Sequence, residues 1–76
     1  MKNVYIVDIM KKDNGINANK LKEFRVKLGL SQNALDRLAG VGKKTTRNAE
    51  AGQGITVSTL IRLAAALGVP PAVFLD

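Results

Sequence analysis

The chain has 76 residues, which is enough for one small domain with a modest hydrophobic core. It contains no cysteine and no histidine, which excludes thiol nucleophiles, imidazole bases, disulfides and zinc sites built from those ligands. The six Asp and Glu residues are scattered without a paired arrangement, so the sequence predicts a protein that is not an enzyme and that has no metal and no cofactor.

The positive charge is concentrated in one part of the chain. The net charge is +6, and the stretch between Lys11 and Arg47 carries ten Lys or Arg against three Asp or Glu. Such an excess favours a polyanionic partner, with a merely solvated basic surface as an equal alternative on charge alone. The apolar run near the N-terminus is interrupted by Asp8 and is too short to span a membrane, so we expect a soluble, cytoplasmic protein without membrane contact.

Residues 1–15 are predicted to form a separate strand and turn. The run VYIVDI alternates and is rich in β-branched residues, and KKDNG ends it with turn-forming residues. A lone strand leaves its backbone groups unpaired, so we expect contact with a second copy or another protein; an unpaired segment folded back onto the domain is the alternative. The expected contact residues are Val4, Tyr5, Ile6 and Val7, with a second apolar cluster of Val73, Phe74 and Leu75.

Residues 16–76 are predicted to form a helical domain. Asn17, Ser31 and Thr56 can cap three helices at their N-termini, and glycines follow the helical segments. A short helix is predicted from Lys43 to Ala51, and Pro71 can begin a last turn. The apolar spacing predicts three buried faces: Leu21, Phe24 and Leu28; Ala34, Leu35 and Leu38; and Val57, Leu60, Ile61, Ala64 and Leu67.

Two segments carry a family resemblance. LKEFRVKLGLSQNALDRLAGVGKKTTRNAEAG and TLIRLAAALGV together resemble the lambda-repressor-like helix-turn-helix family, the Cro, phage-repressor or XRE type, over about residues 16–75. The resemblance implies an all-α domain of four to five helices, with the short N-terminal β-strand outside it and the helix-turn-helix at about residues 31–51. It also implies a sequence-specific regulator that binds double-stranded DNA, is nucleoid-associated when bound, and acts as a homodimeric repressor reading the major groove with the helix at 43–51.

The resemblance also assigns roles to individual residues. Gln32 is expected to hold a phosphate, and Arg25 and Glu50 are expected to form an ion pair beneath the motif, with Arg25 as a phosphate contact being the alternative. In a helix at 43–51, the spacing by itself places positions 43, 44, 47 and 48 on one face. The full set expected to bind DNA is Gln32, Lys43, Lys44, Thr45, Arg47 and Asn48.

Four positions depart from the family pattern, and one of them is Ala49, which makes a core contact smaller. Asp36 replaces a small alanine, Thr46 replaces a branched hydrophobe that touches it, and Gly42 replaces a capping Ser or Thr. We predict that the Asp36 carboxylate accepts a hydrogen bond from the Thr46 hydroxyl or from a nearby backbone amide, because a partly buried carboxylate needs a partner. Lysines in the first turn also oppose the helix dipole, and DNA phosphates could offset that cost.

A second function remains open from the sequence. The chain could be an antitoxin or adaptor that captures a toxin or another protein with its N-terminal strand or its C-terminal apolar cluster, with DNA binding secondary.

Overall fold

The computed structural model describes residues 16–75, which form an all-α domain. Its elements are α1 (Ala18–Lys27), α2 (Gln32–Ala39), α3 (Thr45–Glu50), α4 (Val57–Leu67) and a final 3-10 turn (Pro71–Phe74). The predicted fold class is confirmed. The predicted strand, with Val4, Tyr5, Ile6 and Val7, lies outside the described residues.

The helices begin where the local sequence predicts. Asn17, Ser31 and Thr56 each have extended backbone angles, and each side-chain oxygen accepts the N–H three residues later, at 3.2, 2.9 and 3.1 Å. These bonds satisfy backbone donors that have no partner inside the helix. After α2 the chain turns at Gly40, whose left-handed φ of 72° any other residue would adopt only with strain.

One apolar core joins the helices to the C-terminal turn. The Phe24 ring of α1 meets the Phe74 ring edge to face, with centroids 5.8 Å apart, and the Asn17 N–H donates to the Phe74 carbonyl oxygen at 2.6 Å. These contacts close the domain by fixing its last turn against its first helix. The buried apolar residues are Ile16, Leu21, Leu35, Ala49, Leu60, Leu63, Ala64, Leu67 and Phe74.

The sequence prediction of which apolar residues are buried is wrong at several positions. Leu38 is 60% exposed, and Leu28, Val57 and Ile61 are also exposed, whereas Leu63 of α4 is fully buried although it was not expected to be. The apolar spacing fits more than one face of these helices, and the direction in which neighbouring helices pack decides which face is covered.

The C-terminal cluster is also different from the prediction. Phe74 is fully buried within the domain, so its side chain is not available to a partner, while Val73 is half-buried and Leu75 is exposed. Within residues 16–75, no helix is long and apolar enough to cross a bilayer.

Candidate nucleic-acid interface

The helix expected to contact DNA begins two residues later than predicted. Helix α3 starts at Thr45, and Lys44 precedes it with φ 69° and ψ 5°, the left-handed conformation. Lys43 and Lys44 therefore belong to the turn before the helix, which corrects the predicted range of 43–51. A left-handed non-glycine residue costs roughly 1–2 kcal/mol, so surrounding contacts must hold it in place.

The Asp36 carboxylate supplies those contacts from α2. Its Oδ2 accepts the Lys44 N–H at 2.9 Å and its Oδ1 accepts the Thr46 N–H at 2.8 Å. Asp36 is only 4% exposed. Of the two predicted partners, the backbone amide is therefore the one found. The carboxylate accepts N–H groups at the start of α3, as an N-cap side chain would. It also places a negative charge at the positive end of the helix dipole.

The Thr46 hydroxyl was the other predicted partner of Asp36. Thr46 is fully buried, and its Oγ1 has no hydrogen-bond partner within residues 16–75. A buried hydroxyl without a partner destabilises the folded state, because it has lost its hydrogen bonds to water.

We expect Thr46→Val to raise the free energy of unfolding by about 1–3 kcal/mol, because the methyl group fills the same space without an unpaired polar atom. Urea denaturation followed by circular dichroism measures the change. Thr45→Val, at a half-exposed neighbour, is the control and should stay within about 0.5 kcal/mol. A less stable Thr46→Val would mean that the hydroxyl has a partner in solution.

The Arg25–Glu50 ion pair holds the C-terminal end of α3 in place. The Arg25 Nε donates to Glu50 Oε2 at 2.6 Å and its Nη2 donates to Oε1 at 3.1 Å, so the guanidinium grips the carboxylate with both arms. Its Nη1 donates to the Leu30 carbonyl oxygen at 2.7 Å. The two side chains are 11% and 6% exposed. The group thus links α1, the turn after it and α3.

Gln32 joins this network at the start of α2. Its Nε2 donates to Glu50 Oε1 at 2.9 Å. Since a carboxylate only accepts hydrogen bonds, the Gln32 amide must turn its nitrogen inward, which leaves its oxygen and its second N–H for other contacts. Gln32 remains a candidate phosphate contact with a fixed amide orientation.

The exposed charge around α3 is almost entirely positive. Lys43, Lys44 and Arg47 are exposed, and Thr45 and Asn48 are half-buried. Both acids nearest to them, Asp36 and Glu50, are turned inward and hydrogen-bonded. Within residues 16–75, the exposed cations are Lys22, Lys27, Arg37, Lys43, Lys44, Arg47 and Arg62, and the one exposed acid is Glu23.

Two polar residues of α2 that were not predicted as site residues lie beside the basic turn. Asn33 and Arg37 line one groove together with Lys43 and Lys44. Their spacing of four residues puts both on one face of α2. That spacing is visible in the sequence and could have predicted a polar face beside the basic turn. Among the described residues, no group of three or more carboxylate side chains is placed to hold a metal ion.

Three solved structures and one family model are similar to this chain. A hypothetical transcription factor from Neisseria superposes with a TM-score of 0.76 at 31% identity, covering 84% of this chain and 75% of the other. The restriction-modification controller protein C.AhdI from Aeromonas hydrophila superposes with a TM-score of 0.68 at 32% identity, covering 72% and 85%.

A third similar structure belongs to a longer protein. An HTH_3 family transcriptional regulator from Vibrio cholerae has a TM-score of 0.68 at 35% identity, and the match covers 86% of this chain but 36% of the other. None of the curated proteins matches the chain. The helix-turn-helix family model HTH_3 matches residues 21–74, which include the Asp36 and Glu50 contacts described above. The chain therefore belongs to the HTH_3 helix-turn-helix family, the lambda-repressor-like type.

Proposed function

We propose that this member of a family of DNA-binding transcriptional regulators reads double-stranded DNA through α3 and the turn before it, and that it acts as a dimeric repressor. The observation that carries the proposal is the unopposed positive surface at Lys43, Lys44 and Arg47, beneath which both neighbouring acids are buried. When the cations of such a surface neutralise DNA phosphates, they release the counterions condensed on the DNA, and this release supplies a large share of the binding free energy.

Base reading is assigned to the side chains at the start of α3. Arg47 and Lys44 can donate to guanine O6 and N7 or to the phosphates beside these bases, and Asn48 can pair with adenine N6 and N7. Asn48 is half-buried, so its amide orientation is more restricted than that of the lysines. Gln32, Thr45 and Lys43 are assigned to the flanking phosphates.

The size of α3 favours a dimer. Its six residues span about 9 Å, which restricts one protomer to a few base pairs. Each well-paired base contact discriminates by about 1–3 kcal/mol, so two or three such contacts cannot select one site in a genome. Two protomers on half-sites about one helical turn apart would double the number of contacts.

The proposed interface is tested with a charge-matched pair of variants. We expect the triple variant Lys43→Gln, Lys44→Gln, Arg47→Gln to bind a fluorescent duplex pool more weakly in anisotropy titrations across a salt series. The slope of log affinity against log salt should become shallower by about 2–3, because each lost phosphate contact removes about 0.9.

The control triple variant Lys22→Gln, Lys27→Gln, Arg62→Gln loses the same charge from α1 and α4. Its slope should change by less than about 1, because those residues lie outside the proposed interface. Equal effects of both triple variants would show that binding follows net charge alone, and the proposed reading surface would be wrong.

The antitoxin or adaptor alternative receives no support from the described residues. One of its two surfaces lies in residues 1–15, outside them, and the central residue of the other, Phe74, is buried in the core.

A further inference from the structure

We propose that Asp36 is a positioning residue for DNA binding: it sets the residue at which α3 begins, and thereby how Lys43 and Lys44 are presented to DNA. This inference rests on the function proposed above. The sequence by itself favours a helix from Lys43, yet the helix begins at Thr45. Asp36 is the side chain in direct contact with the backbone where the two alternatives differ.

The geometry explains how one side chain moves the helix start. One carboxylate oxygen holds the N–H of Lys44 and the other holds the N–H of Thr46. With two adjacent acceptors on these N–H groups, Lys44 is fixed in the left-handed conformation as the residue before the helix. The Lys44 carbonyl oxygen then accepts the first regular helical bond, from Asn48 at 2.9 Å.

The chain has no competing cap at the earlier position. A serine or threonine at position 42 would cap a helix that starts at Lys43, but position 42 is glycine. A Cβ atom added to Gly42 would meet Thr45 Oγ1 at 3.6 Å, an ordinary contact, and Gly42 is not among the left-handed glycines. Position 42 therefore has room for a serine. Under this proposal, Asp36→Ala together with Gly42→Ser moves the helix start from Thr45 to Lys43.

The presentation of the two lysines follows from the helix start. In the observed structure both are exposed in the turn, where their backbone direction differs from that of the helix. In a helix that starts at Lys43, each side chain would instead be rotated about the helix axis by a constant angle from the one before it. The sequence-based placement of positions 43, 44, 47 and 48 on one face assumed this geometry. Base contacts depend on such directions, so the two arrangements should prefer different DNA.

The test compares Asp36→Ala with the double variant Asp36→Ala, Gly42→Ser. Backbone chemical shifts from NMR report the conformation of Lys44 without DNA, and anisotropy on a duplex selected by the native protein reports binding. We expect both variants to lose the left-handed signature at Lys44 and to bind the selected duplex about tenfold more weakly. The serine should restore stability but not the native preference.

Leu67→Ala is the control, because it removes a core side chain from a different helix, α4, and lowers stability by about 2–5 kcal/mol. It should retain the Lys44 signature and the native affinity at temperatures where it is folded. If Asp36→Ala does not fold, Asp36→Asn replaces it in the comparison, because its single accepting oxygen can no longer hold the Lys44 and Thr46 N–H groups on separate oxygens, and we expect it to lose the left-handed Lys44 as well.

The inference is overturned if folded Asp36 variants keep the left-handed Lys44 and the native affinity. It is also overturned if the double variant recovers both stability and the native DNA preference. Failure of the proposed function is a separate result, because it appears in the native protein as the absence of salt-dependent binding.

Discussion

Arg25→Ala is expected to lower the free energy of unfolding by about 3–5 kcal/mol, because it leaves the Glu50 carboxylate buried without its countercharge. The Leu30 carbonyl oxygen loses its donor at the same time. A domain of this length has a total stability of roughly 4–11 kcal/mol, so the variant would be close to unfolding at room temperature. Urea denaturation measures the change.

Two comparisons separate the ion pair from general effects of losing an arginine. Arg37→Ala removes an exposed arginine and should cost less than about 0.5 kcal/mol. Arg25→Lys should recover little of the loss, because an ammonium group cannot form the two-armed contact and reach the Leu30 carbonyl oxygen together. Similar stabilities of Arg25→Ala and Arg37→Ala would contradict the structural role of the pair.

Phe74→Ala is expected to cost about 3–5 kcal/mol, since it removes a fully buried ring and its edge-to-face contact with Phe24. Unfolding in urea at protein concentrations tenfold apart distinguishes a core role from a partner contact. A core residue lowers stability equally at both concentrations, whereas a partner contact matters more at the higher one.

Leu75→Ala is the matched control one residue further along, and its exposed side chain should contribute less than about 1 kcal/mol. A small loss of unfolding free energy in Phe74→Ala, or a loss that depends on protein concentration, would support the original prediction that Phe74 contacts a partner.

The local signals in the sequence were sufficient to predict where three helices begin. The capping bonds of Asn17, Ser31 and Thr56 join residues three positions apart, so a short window of sequence contains both partners. The family motifs extended this to the whole fold, because they fix the order of the helices as well as their caps.

The start of α3 could not be predicted in this way. Its cap comes from Asp36 on another helix, across a turn, and the residue that adopts the left-handed conformation is Lys44 rather than a glycine. The exposure of Leu38 was missed for a related reason. Which side of a short helix is covered depends on helices distant in sequence, and the apolar pattern of α2 alone does not contain that information.

The contacts that hold α3 in place leave its exposed positions free to change during evolution. The contacts that hold the helix pass through Asp36, the buried side of α3 and Glu50. The exposed residues Lys43 and Arg47 take no part in these contacts. Mutations at the exposed positions are therefore nearly free of a stability penalty. The exposed side chains of α3 and of the turn before it could therefore change one residue at a time in a lineage while every intermediate stayed folded.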